Sequence, residues 1–294
     1  MNGPVEIAPV LCVGRLYCDV IFTDLPRMPT PGTEVFAGGV GLHAGGGAAI
    51  TAGHLSSLGH PTSLAAYLPG AAFGEVVTQE LQALGVDLRL CRKSIERSDP
   101  QLTVALAHNG ERSFVTHRTG PAFPSFSAKT LADMHFAHLH IGEAATLVDN
   151  PQLVSIAKSL GMTISLDCSW DDQLDAQNLI VLLPEVDLFM PNQSEFEFLQ
   201  ANSMTLPGSA TTVIKQGSNG ATALVDGAEI HVPAVSVTAV DTTGAGDAFN
   251  ASFLHTWLRK RSIEDCLIAA NRKGAEAVTY RGGMGGISDI LRVT

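Results

Sequence analysis

The sequence predicts an α/β fold of three layers, in which a mainly parallel β-sheet lies between two layers of helices. Short apolar segments with the pattern of strands alternate with helical segments, an order typical of parallel sheets that are covered on both faces. The chain has 294 residues, of which 45% are hydrophobic and 16% are charged. A chain of this length and composition can bury a full core, and its charge content is too low for a disordered or coiled-coil protein.

The positions of glycines and the spacing of apolar residues predict where the strands and helices of the main α/β body begin and end. Residues 10–14 form a short apolar run that ends at a glycine, which predicts a buried first strand. Segments 48–59 and 74–85 have helical spacing, and each closes on a glycine that signals a helix C-terminus. Further strands are predicted at 86–91, 136–142, 162–168, 186–192 and 211–217. Further helices are predicted at 150–161, 193–202, 246–259 and 263–278.

Two hairpin-rich regions are predicted to add a small β-sheet lid to this body. About 15–40 includes a stretch rich in Pro and Gly, where loop and short edge strands are expected. About 100–120 contains two alternating segments around Asn109-Gly110, a strong signal for a hairpin turn. A further hairpin is predicted at 221–233. Because no linker or internal repeat divides the chain, 1–294 is predicted to be one domain with these lid strands.

Charge, hydropathy and cysteine usage exclude several classes of function. The net charge is −11 and no basic cluster offsets it, so nucleic acid is not an expected partner. No apolar stretch approaches the ~18 residues of a membrane span, and the N-terminus lacks the basic region of a signal peptide. The five cysteines form no Cys-x-x-Cys pair, which predicts reduced thiols and a cytoplasmic location.

The segment 240–254, VDTTGAGDAFNASFL, places a polar, glycine-rich turn directly before an apolar helix. The amides of Gly244, Ala245 and Gly246 are expected at the helix N-terminus, where unpaired N–H groups and the helix dipole bind anions. Asp247 follows in the first turn and has two interpretations. It either caps the helix, which is worth ~1 kcal/mol, or acts as a general base beside a bound phosphate.

Residues Asp241 to Phe249, DTTGAGDAF, resemble the C-terminal signature of the ribokinase-like (PfkB) carbohydrate kinases, and a motif of this length is far more specific than a short glycine pattern. Three other segments resemble that family's glycine pair with its small-residue helix, its Pro-Asn-x-x-Glu segment and its nucleotide-side Gly-x-x-Gly turn. They are 45–59, 191–199 and 214–224. The resemblance implies the ribokinase-like fold with a β-sheet lid.

The resemblance also implies that a phosphoryl group passes from ATP to a substrate hydroxyl. Asp247 would take the proton from this hydroxyl, and loss of such a base costs on the order of 10²–10⁴ in rate. The amides of Gly244, Ala245 and Gly246 would form an anion hole for the transferring group.

On the nucleotide side, the resemblance places Gly217 and Gly220 in a turn against ATP. The chain contains no Gly-Lys-Ser/Thr segment, so a P-loop is absent and phosphate binding must use the turn at 242–247, beginning with Thr242. Lys215 precedes the Gly217 turn at the end of a predicted strand. It either approaches the phosphates or is a solvated strand end.

Two metal sites are implied by the resemblance. Asn192 and Glu195 would help to hold Mg²⁺ on the phosphates through waters, because Mg²⁺ releases its waters reluctantly. The same two residues also fit ordinary helix capping as the N-cap and third positions. Some family members hold a monovalent cation such as K⁺ at positions that correspond here to Asp241, Thr243, Ala277 and Gly282.

The acceptor side departs from the family pattern. Asp19 lies where the family places an acid that binds sugar hydroxyls, and Gly46 and Gly47 belong to the glycine motif. The family pattern G-G-x-x-x-N ends in an Asn that reaches a substrate hydroxyl, but this chain has Ile50 there. Because isoleucine forms no hydrogen bond, the role of that Asn does not apply to Ile50.

A nearby polar group such as His43 or Thr51 would compensate for Ile50, unless the substrate presents an apolar edge. His43 also fits a loop surface. Glu143 follows a predicted strand at its carboxyl end, where it is either a substrate contact or a solvated loop acid. The lid offers specificity candidates that equally fit edge strands, namely Tyr17, Gln101, Thr103 and Arg118.

Two other signals do not predict a site. His138 and His140 alternate on one strand near His135, but zinc needs three or four converging ligands, so packed or surface histidines are preferred. The segment 281–286, RGGMGG, follows a helix rather than opening one, and therefore does not match a dinucleotide fingerprint.

Together these features predict a cytoplasmic, ATP-dependent kinase that phosphorylates a hydroxyl of a sugar or sugar-like molecule. A nucleoside kinase of the same fold and a catalytically idle sugar or nucleotide sensor are the alternatives. Asp247 favours the kinase, because an idle relative is free to lose that acid. The lid strands leave an exposed edge, so a homodimer paired through the lid, which resembles ribokinase, is also expected.

Overall fold

Strands and helices alternate along most of the chain. The computed structural model describes residues 7–94, 101–108, 111–169, 174–202 and 210–287. The strands in these ranges are β1 (Val10–Val13), β2 (Tyr17–Thr23), β3 (Gly39–Gly45), β4 (Thr62–Ala65), β5 (Tyr67–Leu68), β6 (Arg92–Lys93), β7 (Leu102–His108), β8 (Glu111–His117), β9 (His138–Ile141), β10 (Thr163–Asp167), β11 (Leu188–Met190), β12 (Thr211–Lys215), β13 (Ala221–Val225) and β14 (Ala228–Val232).

The helices occupy most of the segments predicted for them. They are α1 (Gly47–Ser57), α2 (Ala71–Ala83), α3 (Ala128–Ala132), α4 (Ala144–Asp149), α5 (Gln152–Ser159), α6 (Ala176–Leu182), α7 (Gln193–Ala201), α8 (Ala245–Trp257) and α9 (Ile263–Ala277). None of these helices combines the length and hydrophobicity that a bilayer crossing requires.

The central sheet has the strand order β14-β13-β12-β11-β10-β9-β1-β4. Neighbours from β4 through β12 are parallel, and β13 and β14 add an antiparallel edge. Because the parallel strands point the same way, their carboxyl ends meet at one edge of the sheet, where ligands bind in open α/β folds. This edge carries Glu143, Asp167, Asn192 and Lys215.

Two hydrophobic clusters cover the two faces of this sheet. Along β1, Val10 and Cys12 enter the cluster formed with α1, α2, α8 and α9. Leu11 and Val13 enter the opposite cluster, formed with α3 to α7. Successive strand residues point to opposite faces, so the fully apolar β1 is buried from both sides. The prediction of a three-layer α/β fold is therefore confirmed.

A second sheet has the order β3-β2-β7-β8 and contains the predicted lid strands. β2 pairs antiparallel with β3 and parallel with β7, while β7 and β8 form an antiparallel pair. β3 begins at Gly39 and continues to Gly45, beyond the predicted boundary near residue 40. The predicted Asn109-Gly110 turn lies outside the described residues.

The strand predicted at 86–91 is wrong. Within it, Asp87 forms only an isolated bridge with Ser63, and a turn follows at 89–90. The carboxylate of Asp87 accepts hydrogen bonds from the Arg89 amide at 3.0 Å and from its guanidinium at 2.8 Å. Such local side-chain hydrogen bonds compete with the backbone hydrogen bonds of a sheet. This explains why the alternating hydrophobic pattern does not form a strand here.

Several buried histidines belong to the core rather than to a site. His138 and His140 both hydrogen-bond with the hydroxyl of Ser165, at 2.8 Å. His54 donates from Nε2 to the carbonyl oxygen of Gly283 at 3.0 Å. Burial lowers the pKa of His54 and of His140 to about 4.

These depressed pKa values predict a loss of stability in mild acid. An unfolded histidine binds a proton near pH 6.5, whereas His54 and His140 resist it until about pH 4 when folded. Stability is therefore lost as pH falls through this window, by up to about 3 kcal/mol per group. In urea unfolding at pH 7, 5.5 and 4.5, the free energy of unfolding should decrease less with falling pH in His140→Gln than in wild type. Equal slopes would contradict this.

Candidate active site

The start of α1 brings lid residues close to Asp247. A Cβ added at Gly45 would lie 2.1 Å from Oδ1 of Asp19, and one at Gly47 would lie 3.1 Å from Oδ1 of Asp247. Gly46 has a φ of 95°, and a Cβ there would lie 2.3 Å from the carbonyl oxygen of Arg15. Only glycine fits this path. Asp19 and Asp247 thus lie beside a stretch of backbone that carries no side chains.

The region around Asp19 and His43, where the acceptor is predicted to bind, is polar and largely buried. Burial raises the pKa of Asp19 to about 7, against the opposing effects of the His43 charge and a hydrogen bond with Thr103. For His43, burial lowers the pKa, but hydrogen bonding and the charge of Glu80 outweigh it and leave the pKa raised. Asp19 and His43 are direct cross-strand partners on β2 and β3.

Ile50 is part of the packing in this chain. A Cβ added at Gly283 would lie 2.6 Å from Cδ1 of Ile50, so this side chain fills the space between α1 and the loop after α9. Thr51 is fully buried, and its hydroxyl donates to the backbone carbonyl of Asp247 at 3.5 Å. Thr51 therefore does not take over the hydrogen-bonding role that Ile50 cannot perform.

The other acceptor candidates have mixed surroundings. Glu143 is the N-cap of α4, accepts a bond from the Thr146 hydroxyl at 2.5 Å and lies 3.8 Å from Nε of Arg15. Gln101 is buried and donates to the backbone of Thr119. Thr103 bonds with Thr116, Tyr17 lies beside Gly46, and Arg118 is exposed.

The turn before α8 has the geometry of an anion site. Gly244 is the N-cap with a φ of 72°, and a Cβ there would lie 2.5 Å from Cα of Gly283. No side chain caps the first turn of the helix. The Ala245 amide makes a long bond of 3.3 Å to the carbonyl of Thr242, inside the turn. Asp247 lies in the first turn of this helix, the position that both interpretations of it require.

The environment of Asp247 favours its protonated form. Burial is the main cause of its strongly raised pKa, and the charge of Asp167 adds to it. The ammonium group of Lys215 acts in the opposite direction. A carboxylate with a raised pKa is a stronger proton acceptor than a solvated one, which suits a general base.

Lys215 is held in a buried network at the end of β12. Its Nζ donates to Oδ1 of Asp167 at 2.8 Å and to Oδ1 of Asn250 at 3.3 Å, and Asn250 donates to Oδ2 of Asp167 at 2.7 Å. Only 13% of the lysine side chain is exposed, so the solvated interpretation is wrong. A Cβ added at Gly246 would lie 3.5 Å from Nζ, which places the ammonium beside the turn before α8.

Sequence reasoning missed two members of this network. Asp167 ends the apolar strand β10, and an acid at the carboxyl end of a strand was the available signal. Asn250 lies three residues after Asp247 on α8, which places both on neighbouring positions of one helix face. Burial lowers the pKa of Lys215, but the charges of Asp167 and Glu195 outweigh it and keep the lysine protonated.

Asn192 and Glu195 form a complete capping box at the start of α7. The Glu195 amide donates to Oδ1 of Asn192 at 2.9 Å, and the Asn192 amide donates to Oε2 of Glu195 at 2.7 Å. Glu195 is buried nevertheless, and its negative charge raises the pKa of both Lys215 and Asp247. The hydrogen bonds of Asn192 and Glu195 are therefore those of a helix cap, as the capping interpretation predicts. Both residues nevertheless lie next to the network of Lys215, Asp167 and Asn250.

A cavity of about 440 Å³ opens beside these groups. Part of its lining is formed by Lys215, Thr242, Ala245 and Gly246. The remaining lining includes the Gly217–Gly220 turn and a mainly apolar wall of Val235, Val237, Phe249, Asn271 and Val278. The cavity has the size and polarity of a small-molecule site, with an apolar body and a cationic, amide-rich end that fits phosphates.

Asp241 connects the turn before α8 with the loop after α9. Its Oδ1 accepts from the amide of Thr243 at 2.7 Å, and its Oδ2 accepts from the amide of Gly282 at 2.9 Å. The amide of Asp241 donates to the carbonyl of Val278, the residue after Ala277. The four positions predicted for a monovalent cation are therefore close together.

Comparison with known proteins decides the family. A model of the pfkB family of carbohydrate kinases matches residues 8–290. The chain belongs to this family. The fructokinase of Rhizobium leguminosarum bv. trifolii is 27% identical to it, over 91% of this chain and 86% of the relative.

Solved pfkB-type structures share the fold. The structure of Arabidopsis thaliana ribokinase with ribose and ATP superposes with a TM-score of 0.76 at 22% identity, over 94% of each chain. The nucleoside kinase of Methanocaldococcus jannaschii superposes with a TM-score of 0.79 at 20% identity, over 96% of this chain and 94% of that one. As a pfkB carbohydrate kinase, this chain is an ATP-dependent enzyme that phosphorylates a sugar-like substrate.

Proposed function

We propose that Asp247 is the general base that activates a hydroxyl of a sugar-like acceptor for attack on the γ-phosphate of ATP. The observation that carries this proposal is the position of its carboxylate. It lies beside Gly47, in the same glycine segment that Asp19 contacts at Gly45. The residue before it, Gly246, lines the cavity together with Lys215. This position supports a base that acts between the acceptor and the phosphates.

The proposed reaction follows from this placement. The carboxylate of Asp247 takes the acceptor proton as the hydroxyl oxygen bonds to the γ-phosphorus, and the bond from that phosphorus to the ADP oxygen breaks. Negative charge on the phosphoryl oxygens is met by the amides at 244–246 and by the ammonium of Lys215. The turn at Gly217 and Gly220 would hold the nucleotide, with Thr242 at the phosphate end of the cavity.

We further propose that Mg²⁺ arrives with the nucleotide. The described residues hold no group of three or more acidic, histidine or cysteine side chains positioned for a metal. This fits Mg²⁺, which keeps its waters and is bound mainly by phosphates and one or two carboxylates. Glu195 and Asn192 would contact its waters, and the ion would neutralise phosphate charge. A monovalent cation such as K⁺ would bind at the Asp241 loop, with Thr243, Ala277 and Gly282.

The test is ATP-to-ADP turnover with Mg²⁺, with and without K⁺, across sugars, sugar acids, sugar phosphates, polyols and nucleosides. Turnover with one compound class that is lost in Asp247→Asn supports the proposal and identifies the acceptor as a sugar or a nucleoside. Equal turnover by wild type and Asp247→Asn would overturn it.

We also propose a cytoplasmic homodimer that pairs through the lid. All five cysteines are free and buried, as expected in a reducing compartment. β3 and β8 are the edge strands of the lid sheet, and the lid exposes Phe36, Phe114 and Val115, the last with 71% of its surface. Sedimentation should give the mass of two chains for wild type and a smaller mass for Val115→Glu. The control Val181→Glu, at an exposed site on α6, should keep the wild-type mass.

A further inference from the structure

The glycine-rich segment 281–286 contacts the lid through its first residue. Nη2 of Arg281 donates to Oδ1 of Asp24 at 3.0 Å. Nη1 donates to Oδ2 of Asp24 and to the hydroxyl of Thr23, both at 3.1 Å. A guanidinium that meets both oxygens of a carboxylate forms a strongly directional pair. Because Asp24 directly follows β2, this pair attaches the end of a lid strand to the main body.

The second residue of the segment packs against one face of the lid. A Cβ added at Gly282 would lie 3.3 Å from Cδ2 of His43 and 3.5 Å from Cδ1 of Ile21. Asp19, Ile21 and Thr23 alternate along β2 and therefore lie on the same face of the lid sheet. The lid face that carries Asp19 thus rests on the segment at its outer part.

The same segment holds the turn before α8 from the other side. The amide of Gly282 donates to Oδ2 of Asp241 at 2.9 Å, and Oδ1 of Asp241 accepts from the amide of Thr243 at 2.7 Å. The next residue approaches the helix N-cap, since a Cβ added at Gly244 would lie 2.5 Å from Cα of Gly283. Contacts this close leave no free space, so a shift of the segment displaces the turn as well.

The contact between Arg281 and Asp24 is built to open. Their side chains are 54% and 57% exposed, respectively. An ion pair as exposed as this one contributes little to folding stability. Its opening therefore releases the lid from the segment without unfolding the chain.

We propose that the segment 281–283 couples the position of the lid to the shape of the turn before α8, with the pair of Arg281 and Asp24 as its releasable contact. A nucleotide whose phosphates occupy the turn then holds the lid down. Because coupling between two sites is reciprocal, an acceptor under the lid tightens nucleotide binding by the same factor. The inference rests on the proposed function, which assigns the phosphates to the turn and the acceptor to the lid.

The variants break the contact from each side. Arg281→Ala removes the guanidinium, and Asp24→Gly removes the carboxylate at a position whose φ of 56° glycine adopts without strain. If both act only through their pair, the double variant should have no larger effect than either single one. Arg89→Ala is the matched control, because Arg89 forms an exposed pair with Asp87 at 2.8 Å that lies within one turn of the chain.

Hydrogen exchange, measured with and without AMP-PNP and Mg²⁺, reports the coupling directly. In wild type, the nucleotide should slow exchange in the turn at 242–247 and also in the lid strands β2 and β3. In Arg281→Ala and Asp24→Gly, the turn should still be protected, whereas the nucleotide-induced protection of the lid should be lost. Arg89→Ala should behave as wild type.

Calorimetry tests the reciprocal effect with an acceptor that supports turnover. In wild type, this acceptor should lower the Kd of AMP-PNP by about tenfold, which is within the usual range of coupling between two sites. In Arg281→Ala the factor should fall to nearly one, while the Kd measured without acceptor should change little.

The outcomes separate the coupling from the kinase proposal. Lid protection that survives in Arg281→Ala, or that is absent in wild type while the turn is protected, overturns the inference. A merely structural role for Arg281 would lower the melting temperature and leave the nucleotide-induced change intact, which also overturns it. Lid protection that depends on Arg281, in a protein that turns over no acceptor, supports the coupling and counts against the kinase proposal. No protection of the turn in wild type overturns both.

Discussion

Replacing Asp247 with Asn should lower kcat by about 10²–10⁴-fold while ATP binding is retained. Asn keeps the size of the side chain but cannot take up the acceptor proton. In wild type, kcat/KM should fall as the pH drops through the raised pKa of Asp247, because only the ionised carboxylate is a base. This acidic limb should be missing in Asp247→Asn. The measurement is a pH–rate profile of both proteins with the best acceptor.

Asp265 provides a matched control for helix effects. It occupies the third position of α9, as Asp247 does in α8, and it is exposed on the surface. Asp265→Asn therefore removes the same charge from an equivalent helix N-terminus and should leave kcat unchanged. If Asp247→Asn retained full turnover, or if both variants showed the same small decrease, Asp247 would be a helix residue and not the base.

Replacing Lys215 with Met should have two separate effects. It leaves Asp167 buried with only Asn250 as its side-chain partner, and breaking a buried pair in this way costs about 3–5 kcal/mol of stability. It should also lower kcat by about 10²–10³-fold, the usual cost of losing one donor to the transferring group. The acidic limb should move to higher pH, because Lys215 lowers the pKa of Asp247.

A double variant separates these effects. In Lys215→Met with Asp167→Asn, the uncompensated buried charge is gone, so the unfolding free energy should recover much of its loss. Turnover should stay low, because the ammonium group is still missing from the part of the cavity where we propose that the phosphates bind. Recovery of both stability and kcat in the double variant would show that Lys215 supports the fold and does not act on the phosphate.

The fold could be predicted in most of its parts because its signals are local. The fully apolar residues of β1 predict a strand that is buried on both faces, and the glycine that follows α1 predicts the end of a helix. Each signal lies within a few residues of the chain. The strand expected at 86–91 failed because Asp87 and Arg89 bond to each other, and alternating hydrophobicity does not reveal such a competing local bond.

The sequence by itself determined the family and the motif around Asp247, because a long contiguous signature needs no knowledge of the fold. Only the tertiary structure decided the surroundings of that motif. Lys215 meets Asp167 from 48 residues away, and His43 meets Glu80 from 37 residues away. Strand order and sheet register bring such partners together, and neither can be read from the spacing within one segment. The structure thereby showed that Lys215 is a largely buried cation beside the turn before α8, and that Glu80 is the hydrogen-bond partner of His43.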